Sequence, residues 1–128
     1  MNQQEFFDKT VAEMRRREYK KAEGCPAGEK RIRCLYRNEQ GLGCAIGMHI
    51  PEELYRPEMD AEPMGPGSLL ASYPELGPVF EGLSARFLVS AQGMLHDWPD
   101  GPESMEKAFA EFAQHYGLTY TPPEGYEP

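Results

Sequence analysis

Apolar side chains recur at helical spacing near the N-terminus of the chain. Phe7, Val11 and Met14 follow the i, i+4, i+7 pattern of a single buried helix face. This pattern predicts a first helix over about residues 3–22. The basic stretch RRREYKK would form its exposed last turn, where cations suit the negative end of the helix dipole.

The second half of the chain contains further helix patterns. A wide apolar face predicts a helix over about residues 83–96. Pro102 suits the first turn of a last helix, and Gly117 suits its end. Between these helices and the N-terminus, Pro51 can open a short helix that Pro57 breaks.

Two short apolar runs with strand-like composition, RIRCLYR and LGCAIGM, flank the turn-forming stretch NEQG. With Gly41 closing the turn, they predict a β-hairpin over about residues 31–47. The predicted fold class is therefore α+β: a mainly helical single domain with one short hairpin packed on the N- and C-terminal helices. The domain is expected to cover residues 1–118, and the proline-rich segment 119–128 is expected to form an extended, mobile tail.

Charge is unevenly distributed in this chain of 128 residues, whose length suits one domain with a core of its own. Residues 1–40 carry ten basic and seven acidic side chains, a net charge of +3, whereas residues 41–128 carry three basic and 14 acidic side chains, a net charge of −11. The acidic part disfavours general nucleic-acid binding. It is compatible with a basic protein partner, including one whose nucleic-acid-binding surface it would occupy. The absence of a signal-peptide pattern and of a long apolar run predicts a cytoplasmic location, without membrane contact and with reduced cysteines.

Three cysteines and one histidine define a candidate zinc site. Cys25, Cys34, Cys44 and His49 occur in CCCH order, and thiolate and imidazole are the ligands that zinc prefers. The later gaps are longer than in CCCH fingers, and the aromatic residues that stack RNA bases in such fingers are missing. We therefore favour the alternative that the cysteines are small, buried apolar side chains.

A catalytic constellation is harder to find. His96 and Asp97 are adjacent in LHDW and could serve a small hydrolase, but neighbouring residues at a helix end are expected to point in different directions. A hydrolase would require one pocket that contains both side chains. A nucleophilic Cys34 or Cys44 has no supporting local signature. We therefore predict a non-enzymatic protein without a cofactor.

The stretch CLYRNEQGLGCAIGMHIPEELYRPEMD, residues 34–60, resembles the core motif of a family of small phage- and prophage-associated bacterial proteins. That motif runs Cys-x-Tyr-Arg, a glycine-containing turn, Cys-Ala-[Ile/Val]-Gly, Ile-Pro-[Asp/Glu]-Glu-x-Tyr and Pro-x-Met-[Asp/Glu], and the similarity continues over nearly the whole chain. The family motif does not include Cys25 and has a non-ligand residue at the position of His49, which argues against the zinc site. The resemblance implies an accessory product of a mobile element and brings no catalytic residue.

The leading hypothesis is a small acidic protein-binding module that contacts a host or phage protein. A narrower version is an inhibitor of a bacterial defence complex, of the anti-CRISPR type, whose acidic face contacts a basic nucleic-acid channel. The candidate contact residues are the charged side chains of the motif: Arg37, Glu39, Glu52, Arg56, Glu58 and Asp60. The alternatives are a zinc-binding nucleic-acid or regulatory module and a small hydrolase.

Overall fold

Helices dominate the fold. The computed structural model describes residues 1–26 and 29–125. In that part of the chain the α-helices are α1 (Gln3–Arg16), α2 (Pro66–Ser72), α3 (Ala85–Gln92) and α4 (Gly101–Tyr116), and the strands are β1 (Glu23–Gly24) and β2 (Arg33–Cys34). The predicted mainly helical α+β fold class is confirmed. None of the described helices combines the length and the apolar character that a membrane span requires.

α1 begins as its sequence dictates and ends earlier than predicted. The Asn2 side chain accepts a hydrogen bond from the amide of Glu5, and the Glu5 carboxylate accepts one from the amide of Asn2, which is a capping box. The helix ends at Arg16 because Glu18 and Tyr19 adopt left-handed φ values of 55° and 63°. The prediction that the helix continues to residue 22 is therefore wrong.

The strand pairing also differs from the predicted hairpin. β1 and β2 are antiparallel, with Glu23 opposite Cys34 and Gly24 opposite Arg33, so the partner strand precedes residue 31 instead of following the NEQG turn. The predicted second run becomes a 3₁₀ turn over Gly47–His49. Gly47 lies so close to the backbone of Tyr36 that a Cβ atom would overlap it, and this packing replaces a second strand.

Aromatic side chains from α1, α3 and α4 form the centre of the core. Phe7 stacks on Phe112 with ring centroids 5.8 Å apart, and Phe87 contacts Phe6 at 5.5 Å and Phe112 at 5.4 Å. Burial of each such ring contributes about 2–3 kcal/mol to folding. The 3₁₀ turns that follow β2 pack against this aromatic layer through Ile46 and other buried residues.

The segment after α4 runs back along α1. The amide of Leu118 donates to the carbonyl of Ala113 at 2.8 Å, and Gln4 and Thr119 form two hydrogen bonds of 2.8 and 3.0 Å. The carbonyl of Thr121 accepts from Arg15 at 2.8 Å. The predicted tail, 119–128, is therefore bound to the domain at its beginning, and residues 126–128 lie outside the described part.

Candidate functional site

A polar cluster lies at the end of α3. His96 is fully buried; its Nε2 accepts a hydrogen bond from the amide of Ala22 at 2.9 Å, and its Nδ1 lies 2.7 Å from Oδ1 of Asp97. Because Nε2 accepts, the proton of the neutral ring is on Nδ1 and is donated to the carboxylate. Gln92 donates to the same Oδ1 at 2.9 Å. Asp97 is thus held by two side chains.

A π-helical turn over Gly93–Asp97 creates this pairing. The wider turn closes with the amide of Trp98 donating to the carbonyl of Gly93 at 2.9 Å, and it rotates His96 and Asp97 toward each other. The expectation that these neighbours point in different directions is wrong, because it assumed ordinary α-helical geometry. Such turns are frequent at functional sites.

Cys34 completes the cluster without becoming a reactive thiol. One potential ligand atom from each of Cys34, His96 and Asp97 lies within 4.8 Å of the others. Burial first, and then the neighbouring Asp97 carboxylate, raises the pKa of the Cys34 thiol to about 12, so it stays protonated at neutral pH. Both ring nitrogens of His96 are already hydrogen-bonded. A metal at this position would have to displace one of those bonds, so the donor set does not fit a preformed metal site.

The hydrolase hypothesis needs a pocket with both His96 and Asp97. A cavity of about 320 Å³ borders the cluster, and Cys34, Gln92 and Asp97 are part of its wall. His96 lies beneath this wall and has no exposed surface. Asp97 therefore lines this cavity and His96 does not, so the cavity is not the pocket that the hydrolase hypothesis requires.

The four residues of the alternative zinc set are not brought together. Cys25 is exposed, and its thiol donates to a backbone carbonyl. Cys44 is buried, with its sulfur accepting from the amide of Gly47 at 3.4 Å. His49 stacks on Phe6 with centroids 4.2 Å apart. The CCCH order in the sequence thus does not correspond to a cluster in space, because each side chain packs in a different environment.

His49 is held neutral by its surroundings. The Thr10 hydroxyl donates to the carbonyl of Phe6 at 2.7 Å, and it therefore accepts from the ring Nε2–H of His49 at 2.8 Å. Burial, assisted by the nearby charge of Lys9, lowers the pKa of His49 to about 4. This imidazole is a packed, hydrogen-bonded group at neutral pH.

Two of the predicted contact residues, Asp60 and Arg37, form hydrogen bonds within the fold. The carboxylate of Asp60 accepts hydrogen bonds from the amide of Tyr36 at 2.8 Å, the amide of Arg37 at 3.1 Å and the hydroxyl of Tyr55 at 2.7 Å. Arg37 is half-buried and donates through Nη2 to the carbonyl of Ile50 at 2.9 Å. These two residues therefore organise the motif, since their hydrogen bonds join β2 to the turns that follow.

The remaining predicted contact residues are on the surface. Glu39, Glu52, Arg56 and Glu58 are all exposed. Arg56 donates to the backbone carbonyl of Glu53 at 3.2 Å. Their exposure leaves the prediction of a contact role for these four side chains open.

Sequence reasoning missed the most exposed aromatic residue of the described chain. Trp98 has 70% of its surface exposed, although its ring rests on Gly93, where an added Cβ would lie 2.5 Å from ring atoms. A groove of about 330 Å³ runs beside it, lined by Met94, Trp98, Pro99, Ser104, Lys107, Ala108 and Glu111. The sequence feature that could have indicated it was a single tryptophan in the stretch DWPDGP, which is typical of a loop and has no periodic apolar face.

Comparison of the chain with protein-family models, with curated proteins and with solved structures found no match.

Proposed function

We propose that this protein is an acidic protein-binding module whose contact surface is centred on Trp98. The observation that carries the proposal is that the Trp98 side chain is 70% exposed although one part of its ring packs against Gly93. Tryptophan is enriched among the residues that dominate binding energies at interfaces. An anchor that is already positioned loses little conformational entropy when a partner binds.

The surroundings of Trp98 extend this anchor into a surface. Met94 and Ala108 supply apolar contacts in the adjoining groove. Such an apolar centre with a polar edge is the usual anatomy of a non-obligate interface.

The net charge of the chain favours a basic partner. Glu103 is exposed in the first turn of α4, and the groove wall contains one acid, Glu111, and one base, Lys107. The chain as a whole carries a net charge of −8, which steers association with a positively charged protein surface. In the narrower form of the proposal, that surface is the nucleic-acid channel of a host defence complex in the cytoplasm, and this protein is its inhibitor.

Replacement of the anchor tests the proposal. Trp98→Ala should weaken binding to the purified partner by about 30-fold or more, because truncation of a central interface tryptophan costs about 2 kcal/mol or more. Ile32→Ala is the matched control, since Ile32 is 72% exposed and lies outside the groove wall. The partner would first be captured from host lysate by the unaltered protein at low salt, and affinities would then be measured by calorimetry.

The narrower form of the proposal, in which the contacted surface is a nucleic-acid channel, makes a separate prediction about the same complex. Nucleic acid should compete with this protein for the partner, and affinity should fall as salt rises. Equal binding by Trp98→Ala and Ile32→Ala would exclude Trp98 as the anchor. Simultaneous binding of nucleic acid and this protein would exclude the channel as the contacted surface.

The tryptophan also reports on the contact directly, because it is the chain's single tryptophan. Its emission should be readily quenched by acrylamide in the free protein. Binding of the partner should shift the emission to shorter wavelength and protect it from quencher. An unchanged quenching constant in the complex would contradict the proposal.

A further inference from the structure

A second cavity lies away from the Trp98 groove, between α1 and the glycine-rich loop that follows β2. Its volume is about 380 Å³, and its wall consists of Lys9, Glu13, Arg37, Gly41, Gly43, Met48 and His49. No residue of this wall belongs to the groove beside Trp98. We propose that this cavity binds a small molecule through an oxyanion group, which Lys9, Arg37 and the amide of Gly43 recognise.

The two cations of the wall have no carboxylate partner in the described part of the chain. Among the basic side chains that are not exposed, Arg37 forms no ion pair there, whereas the others are paired with acids: Arg15, Arg17, Lys21 and Arg33. Lys9 also has no ion pair, as is the case for several other exposed lysines and arginines. Lys9 is exposed, and Arg37 is half-buried. A half-buried guanidinium without a counter-ion is unusual in a chain with a net charge of −8, because acids are plentiful.

Arg37 is held in a fixed orientation with donors to spare. Its Nη2 donates to the carbonyls of Gly47 and Ile50 at 3.3 and 2.9 Å, and its guanidinium lies 5.2 Å from the ring centroid of Tyr55. Its Nη1 donates no hydrogen bond within the described residues. The planar, preorganised fork of arginine suits phosphate and carboxylate oxygens.

The one acid of the wall is already neutralised. The Glu13 carboxylate accepts hydrogen bonds from Nε and Nη2 of Arg16 at 2.8 and 2.7 Å, and Nη1 of Arg17 lies 3.9 Å from it. The hydrogen bond from Arg16 is the main cause that lowers the pKa of Glu13. The local balance around the cavity is therefore positive although the whole molecule is acidic.

The backbone of the loop supplies a further donor. Gly43 is buried, and its amide donates no hydrogen bond to the described residues. A Cβ atom at Gly43 would overlap the backbone of Met48, so only glycine allows this close approach. Gly43 is part of the cavity wall, and an amide without a protein partner can donate to a water molecule, an ion or a ligand.

Titration with inorganic phosphate tests the assignment. In the ¹⁵N-labelled protein at constant ionic strength, phosphate should cause saturable shifts of the amides of Gly41 and Gly43. Lys9→Gln should weaken this binding about five- to tenfold, because a charge-assisted contact is lost, and Lys9→Arg should largely restore it. Lys20→Gln removes the same charge from an exposed position outside both cavity walls and should leave the affinity within about twofold.

Acetate in a parallel titration distinguishes the kind of oxyanion. Shifts of the same amides with acetate assign a carboxylate ligand, and shifts with phosphate alone assign a phosphorylated one. Equal weakening by Lys9→Gln and Lys20→Gln would mean that the anions act only through general charge, and it would overturn the proposal. Failure of both anions to shift Gly43 would overturn it as well. Neither result would affect the Trp98 surface, because the two sites share no residue.

Discussion

Glu106 is a charged residue that is almost completely buried. It is 1% exposed, and its two carboxylate oxygens accept hydrogen bonds from Arg15 at 2.9 and 2.8 Å, from Tyr19 at 2.7 Å and from Tyr120 at 2.8 Å. Burial alone would raise the pKa of Glu106, but the hydrogen bonds from Arg15 and the two tyrosines outweigh it and lower the pKa. One carboxylate thus joins α1, the residues after it, α4 and the C-terminal segment.

Glu106→Gln should lower the free energy of unfolding at pH 7 by about 2–3 kcal/mol, because Arg15 loses its charged partner in a largely buried position. The pKa of Glu106 is lower in the folded than in the unfolded state, so its contribution is complete above the unfolded pKa and is lost as pH falls through the folded pKa. The difference between the variant and the unaltered protein should therefore shrink in acid.

Urea denaturation followed by circular dichroism at pH 7 and in acid measures this difference. Glu111→Gln, an exposed change of the same kind on the same helix, should stay within about 0.5 kcal/mol. A difference for Glu106→Gln that does not change with pH would contradict the assignment of a charged contact.

At the scale of elements, the end of α1 contains identifiable strain. Glu18 and Tyr19 are consecutive non-glycine residues with left-handed φ values of 55° and 63°. Such conformations cost L-residues about 1 kcal/mol each. The hydrogen bond of Tyr19 to Glu106 at 2.7 Å offsets the cost at that position, whereas the Glu18 side chain is exposed and has no hydrogen bond in the described residues.

Glu18→Gly should therefore raise the free energy of unfolding by about 0.5–1 kcal/mol, since glycine adopts this conformation without steric penalty. The same substitution inside a helix, Glu111→Gly, should lower it by about 1 kcal/mol. Thermal unfolding followed by circular dichroism shows whether each variant is stabilised or destabilised. Destabilisation by Glu18→Gly would show that the left-handed turn is not strained.

Elements with long apolar periods could be predicted, and short ones could not. The helix predicted over residues 83–96 corresponds to α3 and the π-helical turn. The last helix, α4, ends at Tyr116, and Gly117 follows it with a left-handed φ of 67°. A strand of two residues such as Glu23–Gly24 contains no period to detect, so its pairing depends on tertiary contacts alone. The His96–Asp97 contact was hidden for a related reason, because a π-helical turn has no sequence signature of its own.

The candidate surfaces were still less accessible to sequence reasoning. Exposure of Trp98 is a property of how the π-helical turn, Gly93 and α4 meet, and aromatic residues are more often buried than exposed. The oxyanion cavity combines residues 9 and 13 with the loop around residue 43. The spacing of residues within one segment does not show which distant segments will come together in the fold.

At the scale of the whole molecule, the C-terminal segment is part of the domain's stability. Removal of residues 118–128 should lower the free energy of unfolding by about 2–4 kcal/mol, because it eliminates the Gln4–Thr119 pair and the Tyr120 contact with Glu106. Removal of residues 122–128 is the matched control, because it keeps the Gln4–Thr119 pair and the Tyr120 contact, and it should cost less than removal of residues 118–128. Urea denaturation of both truncated proteins measures the difference, and equal losses would place the stabilising contacts beyond residue 121.

The pairing of Gln4 with Thr119, 115 positions apart in the chain, has a consequence for biosynthesis. During translation the first helix emerges long before the segment that covers it has been made. The nascent domain therefore cannot close these contacts until residue 119 has left the ribosome. Such distant contacts also slow spontaneous folding, since loop closure precedes the stabilisation that they supply. Premature termination before residue 119 would release a chain whose first helix lacks these contacts. Such a chain would be exposed to cellular proteases.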